Sequence, residues 1–161
     1  MLINPDNRKT AQRAIEAVQT AAGPLALTVQ PVEVLGPRGF EKAFAQIAPN
    51  ETAGVITVLD PMFFNERKQM AEVALARRLP TMTTGDAYVK EGALMSYAPN
   101  YLDIMRRVGI YVDKIINGSK PRDLPVQQPV KYDVTINLKT ARTLGVSVTP
   151  SILAESDEVI E

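Results

Sequence analysis

Gly54-Val55-Ile56-Thr57-Val58-Leu59-Asp60-Pro61 decides the fold: it is a continuous apolar, β-branched run that stops at an acid and a proline. A strand without polar and apolar alternation is buried on both faces, and such strands belong to parallel sheets covered by helices. The run therefore predicts an α/β fold with a doubly wound parallel sheet and this strand at its centre. Open α/β sheets bind ligands just beyond the carboxyl ends of their strands, which points to Asp60-Pro61-Met62-Phe63-Phe64.

Toward the N-terminus, Leu2-Ile3-Asn4 reads as the last residues of a strand entering the turn Asn4-Pro5-Asp6-Asn7. A helix follows from about Arg8 to Ala22, with Ala11, Ala14, Ile15, Val18, Ala21 and Ala22 on one face and Gly23-Pro24 as its stop. Leu25 to Val34 alternates as a strand, which Pro31 confines to an edge or a bulge. Phe40, Ala43, Phe44 and Ile47 form a short amphipathic helix before the central strand.

Toward the C-terminus a helix runs from about Phe64 to Leu79, with Met70, Val73 and Ala74 inward. Thr81-Met82-Thr83 is a short strand, Gly85-Asp86 turns into a brief helix ending near Gly92, and Ala93 to Tyr97 is a further strand closed by Pro99. Strands separated by helices imply right-handed crossovers. Tyr101 to Asn117 is a long helix striped by Ile104, Val108, Tyr111, Val112, Ile115 and Ile116, with Gly118 as its left-handed cap. That stripe calls for cover, either by the chain's own tail folding back or by a second copy of the chain.

Ser119 to Pro129 holds three prolines in eleven residues and reads as an extended connector. Tyr132, Val134 and Ile136 then alternate with Lys131, Asp133 and Thr135 as a half-buried strand. Asn137 caps a helix from Leu138 to Leu144 that Gly145 closes, and one more short helix follows from Pro150 to the end.

Composition narrows the functional classes. The 161 residues are 45% hydrophobic and 22% charged, the balance of one globular domain. Eighteen basic and eighteen acidic side chains cancel, so no long-range field favours nucleic acid. Cysteine and histidine are both absent, which removes disulfides, thiolate sites, the commonest general base and the usual metal ligand. No catalytic residue, metal or cofactor is expected. No apolar run reaches the roughly 20 residues of a membrane helix, and Met1 to Pro5 is unlike a signal peptide.

The candidate ligand-binding residues sit at strand ends, where turn and cap chemistry competes with ligand chemistry. Asn4 and Asn7 have amides suited to a ligand carboxylate, and equally to a helix N-cap. Asp60 can accept from a ligand ammonium or cap the helix after Pro61. Phe63 can wall a cleft or enter the core beside Phe64, and Thr84 and Asp86 flank an ordinary glycine turn. The arginine pairs 77–78 and 106–107 read as solvated helix faces.

Asn4-Pro5-Asp6-Asn7, Val58-Leu59-Asp60-Pro61-Met62-Phe63-Phe64, Arg78-Leu79-Pro80 and Gly92-Ala93-Leu94-Met95-Ser96-Tyr97-Ala98-Pro99-Asn100 form a series that continues through the tail. Tyr111-Val112-Asp113-Lys114-Ile115-Ile116-Asn117-Gly118, Lys120-Pro121, Asp123-Leu124-Pro125-Val126, Ile136-Asn137-Leu138-Lys139-Thr140-Ala141 and Leu144-Gly145 complete it. Together they resemble the ABC-transporter substrate-binding proteins that include tryptophan- and tyrosine-binding members.

The resemblance implies a type I periplasmic-binding fold, in which two α/β lobes close on a small ligand. Only the C-terminal half of that pattern is matched. Residues 1–97 would be the second lobe, and residues 98–161 the hinge-crossing helix, the proline-rich connector and the final strand and helix segments. The family's first lobe and export signal precede this region, so the chain is expected to begin mid-strand. Tyr97 and Asn100 would lie at the crossover between lobes, where the family brings polar and aromatic groups to its cleft. The implied partners are a small solute and a transporter's membrane permease, in a periplasmic or other extracytoplasmic setting, with ligand capture and no turnover.

Two other readings stand beside it. A flavodoxin-like receiver domain also ends its third strand in an acid, as at Asp60, and its fourth in Thr or Ser, as at Thr83 or Thr84. It further needs an acidic pair after the first strand and a lysine after the fifth, where this sequence has Asn4-Pro5-Asp6-Asn7 and Tyr97-Ala98-Pro99-Asn100. The other is an orphan lobe that dimerises without a ligand.

Overall fold

The computed structural model describes residues 1–48 and 52–161. Strand β1 (Leu2–Ile3) runs through a single 3-10 turn into helix α1 (Arg8–Ala22), and β2 (Val32–Glu33) returns parallel to β1. There follow α2 (Phe40–Ala45), β3 (Val55–Ile56), α3 (Pro61–Asn65), α4 (Arg67–Ala76), β4 (Thr81–Thr83), α5 (Asp86–Lys90) and β5 (Met95–Pro99). The long helix α6 (Tyr101–Ile116) leads to β6 (Tyr132–Asn137), α7 (Leu138–Leu144), α8 (Pro150–Ala154) and β7 (Glu158–Ile160).

Strands β3 to β7 form one sheet in chain order, parallel throughout except for the antiparallel β5–β6 pair. A parallel bridge from Leu2 to Thr57 sets β1 against β3, so the strands succeed one another as β2-β1-β3-β4-β5-β6-β7. The Gly54–Leu59 run is therefore interior, and β2 is the edge that Pro31 requires. The direction of winding reverses between β1 and β3, the position where open sheets leave a crevice.

Both faces at this centre are covered by packed side chains. Val55, 1% exposed, packs into a cluster with Phe40, Phe44, Phe63, Met70, Leu79 and Tyr88 from the α2–α5 side. Ile56 and Val58 turn the other way, onto Ile3 and the Ala11, Ile15 and Val18 stripe of α1. A doubly wound α/β architecture results, as expected from the run.

Several elements depart from expectation for local reasons. Residues 23–25 make a 3-10 turn and Ala26 takes a left-handed φ of 53°, so pairing in the 25–34 segment begins only after Pro31. The 64–79 helix starts earlier, at Pro61, and breaks at Glu66 into α3 and α4. The strand expected at 93–97 shifts two residues onward, and Pro99 ends it opposite Tyr132. Strand β6 is not half-buried along its length, because Thr135, Ile136 and Asn137, between β5 and β7, are all buried. The segment after Pro150 is not helical to the end: β7 pairs parallel with β6 through only three residues, too few to carry a periodicity.

Helix α6 is the exception to the packing. None of its residues is buried, although it is strongly amphipathic. The connector runs beside it, with the Tyr111 hydroxyl donating to the Pro125 carbonyl, and the two enclose a groove of about 570 Å³ lined by Ile104, Val108, Val112, Ile115 and Leu124. The chain's own cover is thus partial.

Candidate functional site

The carboxyl ends of β1 and β3 meet at Asp60. Extended backbone before Pro61 makes Asp60 the N-cap of α3, its Oδ1 accepting from the Met62 N–H at 2.9 Å. The Asn4 amide donates to both Asp60 oxygens, at 3.1 and 3.3 Å, and the Asn7 amide donates to Oδ2 at 3.0 Å. Asn4 in turn accepts from the Asp6 N–H at 3.0 Å. Asp60 is only 2% exposed, and this carboxylate is held by three neutral N–H donors with no ion-pair partner among the described residues. Asn4, Asn7 and Asp60 are brought together, with their polar atoms turned on one another.

Phe63 does not wall a cleft. It is fully buried, edge-on to Phe40 with ring centroids 5.9 Å apart, because the third residue of α3 faces the α2 side of the core. Phe64 is the outward residue of the pair, stacked under the Arg67 guanidinium at 4.9 Å and edge-on to Tyr88 at 6.0 Å.

Four buried polar atoms have no partner among the described residues: Thr57 Oγ1 just past β3, Thr84 Oγ1 just past β4, the Tyr88 hydroxyl on α5 and Arg67 Nε. Burial pushes the Tyr88 phenol up to about 12. The Thr84 hydroxyl is near enough to oppose that shift, yet the two oxygens do not reach hydrogen-bonding geometry. Buried hydroxyls left unpaired at a strand end are costly unless something else supplies the bond.

A second polar region lies at the same end of the sheet, around β5, β6 and β7. A pocket of about 470 Å³ is lined by Gly85, Asp86, Ser96, Asn100, Tyr101, Lys131, Asp133, Thr135, Asp157 and Glu158, among others. Asn100 is the N-cap of α6, accepting from the Asp103 N–H at 2.7 Å, while its amide donates to both Asp133 oxygens at 2.9 and 2.7 Å. Asp86 opens α5 and pairs with Lys90, whose hydrogen bond holds the carboxyl below its ordinary range. Lys90 also reaches Glu158 at 3.4 Å.

Two of the expected residues, Asp86 and Asn100, thus share this pocket. Tyr97 does not, because strand alternation turns it to the opposite face, where it stacks on Tyr132 at 5.1 Å. Ser96, Asp133, Thr135 and Asp157 are pocket residues that sequence reasoning passed over. Asp133 and Thr135 are on the alternate set of β6, which in a half-buried strand reads as the solvent face. Among the described residues no group of three or more acidic side chains is placed to hold a metal ion.

The sequence profile of the ABC transporter substrate binding proteins matches residues 1–160. The chain belongs to that family. Three solved structures share its fold. A conserved domain protein from Vibrio cholerae is 23% identical with a TM-score of 0.85, the match covering 98% of this chain and 53% of that one. An ABC domain from Streptococcus pneumonia in complex with L-Trp is 21% identical with a TM-score of 0.80, covering 92% and 51%. The ligand-free, open CD0873, a substrate binding protein with adhesive properties from Clostridium difficile, is 16% identical with a TM-score of 0.76, covering 99% and 52%. An uncharacterized Rickettsia prowazekii protein, RP367, is 26% identical over 93 residues, 58% of this chain and 31% of its own length. The chain spans about half the length of the solved structures it matches.

A family of this kind binds small solutes for ABC transporters, is non-enzymatic in general and is typically extracytoplasmic. Among the described residues no helix is long and apolar enough to cross a membrane.

Proposed function

We propose that residues 1–97 are one lobe of a solute-binding protein and that residues 98–161 carry the segments that tie it to a second lobe. The complete protein captures a small amino-acid-like or aromatic solute between the lobes and presents it to a membrane permease for import. The observation that carries this reading is the set of buried hydroxyls without a partner among the described residues: Thr57 past β3, Thr84 past β4 and Tyr88 on α5. Such groups suit a ligand that arrives with its own donors and acceptors, and a winding reversal like that between β1 and β3 is where open sheets bind ligands. The L-Trp bound by the Streptococcus pneumonia relative supports the solute class. In this reading α6 turns its apolar stripe to the other lobe, with a second copy of this chain as the competing occupant.

Calorimetry tests the proposal. A protein carrying both lobes should bind an aromatic amino acid without turnover, and the 161-residue chain should bind it at least tenfold more weakly, since half the burying surface is gone. Equal affinity in the two would overturn the shared cleft, and product formation would place the protein among enzymes.

A further inference from the structure

The tip of α6 carries a reactive pair of residues. Asn117-Gly118 is the one place in the sequence where glycine follows asparagine; every other asparagine precedes a bulkier residue, and Asn4 precedes Pro5, which has no N–H. The pair favours ring closure within the backbone. The Gly118 nitrogen can reach the side-chain carbonyl carbon of Asn117 through a five-membered ring, and glycine has no Cβ to hinder the approach.

The pair is open to solvent. Asp113, Lys114, Asn117, Gly118 and Ser119 are all exposed, and a Cβ placed on Gly118 would meet nothing within 4 Å. It is also latched. The Gly118 N–H donates to the Ile115 carbonyl at 3.0 Å and the Ser119 N–H to the Lys114 carbonyl at 2.9 Å, a helix ending that the Gly118 φ of +98° makes possible. The Asn117 amide donates to the Asp113 carbonyl at 3.0 Å and to Asp113 Oδ1 at 3.1 Å. Both reacting groups, the Gly118 N–H and the Asn117 carboxamide, are therefore engaged by the last turn of the helix. Attack requires both to let go, and a helix end with no buried residue opens readily.

We propose that Asn117 is a site of spontaneous deamidation whose rate is set by the opening of the last turn of α6. With the turn open, hydroxide takes the Gly118 amide proton, the nitrogen bonds to Asn117 Cγ, and the Cγ–Nδ2 bond breaks as nitrogen takes a proton from water and leaves as ammonia. Water then opens the cyclic imide, at Cγ to leave aspartate or at the main-chain carbonyl to leave isoaspartate. Nothing is oxidised or reduced, and water is the one co-reactant. Either product removes the two amide bonds to Asp113 and sets a negative charge one turn from that acid, at the end of the helix where the dipole is already negative. A latched helix end becomes a repelled one, next to Ile115 and Ile116 of the apolar stripe. The inference goes beyond the solute-binding reading and does not depend on it.

The test is incubation of the 161-residue chain at neutral and at mildly alkaline pH followed by peptide mass mapping, with the free peptide spanning residues 111–123 as the unfolded reference. Asn117 should convert at least tenfold faster than any other asparagine of the chain, at least tenfold more slowly than in the free peptide, and faster as pH rises. Asp113→Ala, which removes one of the two acceptors of the Asn117 amide, should speed conversion severalfold in the chain and leave it nearly unchanged in the peptide. Gly118→Ala should slow the peptide at least tenfold, a comparison that does not involve the fold. In the chain carrying Asn117→Asp, hydrogen-exchange protection of amides 117 to 119 should fall severalfold. Conversion no faster at Asn117 than at the other asparagines overturns the site. Equal rates in chain and peptide overturn control by the helix end, a rate indifferent to pH overturns the cyclic imide, and unchanged protection in Asn117→Asp overturns the effect on α6.

Discussion

Helices α4 and α6 carry the same kind of apolar stripe and meet opposite fates. In α4 Met70, Ala71, Val73 and Ala74 are all buried against the sheet, whereas in α6 Val108, Val112 and Ile115 stay between 42% and 49% exposed. The stripe of α6 is the more regular of the two, so amphipathicity says only that a helix has a partner. Where that partner lies is settled by the rest of the sheet: α4 links the parallel neighbours β3 and β4 and packs back on their core, while α6 links the antiparallel neighbours β5 and β6 through a connector of largely exposed residues. The α4 face is a core, and the α6 face is a surface awaiting one.

The strongest way to probe the contrast is a charge in each stripe. Val73→Asp should cost about 4 kcal/mol or more, because a carboxylate would replace a buried methyl pair with no partner in reach. The expected result is loss of the cooperative transition in thermal or urea melts. A variant that melts within a few degrees of the parent would mean that the α4 face opens in solution and that the two helices are alike.

Next in size is the anchor that holds the buried region's crevice in shape. Asp60→Ala removes the N-cap of α3 and strands the Asn4 and Asn7 amides, so about 3 kcal/mol should be lost. The parallel cut on the α6 side is Asn100→Ala, which removes a cap and one amide contact in a half-exposed setting, and about 1 kcal/mol is expected. Chemical denaturation of the two variants gives the ratio. Equal losses would show that burial does not separate these two Asn–Asp pairs.

The sequence made some of this legible and concealed the rest for identifiable reasons. The Gly54–Leu59 run is explicit because a strand covered on both faces needs no alternation, and Val55, Ile56 and Val58 read directly as core. The caps at Asn4, Asp60 and Asn137 are explicit too, since an Asn or Asp between a strand and a helix has few other uses. What stays hidden is any property set by pairing across the chain. Thr135 lies in a buried pocket only because β7 covers that side of β6, and β7 is three residues long. Phe63 and Phe64 are adjacent and chemically identical, so only the start of α3 at Pro61 decides which one enters the core.

A smaller effect of opposite sign separates structure from ligand binding at the buried strand ends. Tyr88→Phe removes a hydroxyl with no partner and should stabilise the chain by about 1 kcal/mol at neutral pH, while weakening solute capture by the two-lobed protein. The alkaline profile should change as well. Because burial raises the phenol from 10.0 to about 12, the folded state holds its proton longer than the unfolded state, so this contribution is present below pH 10 and is lost as pH rises toward about 12. Subtracting the Tyr88→Phe profile from that of the parent isolates it. A destabilised variant would mean that the hydroxyl has a structural partner.

The smallest expected effect is the most discriminating. Val108→Asp places a charge in the middle of the α6 stripe, yet Val108 is 49% exposed and no residue of α6 is buried. In the isolated chain the carboxylate would sit in water beside the groove, so the change in stability should stay within about 0.5 kcal/mol, as for surface substitutions generally. In a protein with both lobes the same substitution should be severe, because the stripe there would lie against a partner surface and each large apolar side chain buried contributes roughly 1.5 to 3 kcal/mol. Sedimentation of the parent chain at several concentrations completes the test. If Val108→Asp costs the isolated chain more than 1 kcal/mol and the parent sediments as a dimer that the variant cannot form, α6 already has its cover in a second copy, and the contrast with α4 would be one of assembly and not of burial.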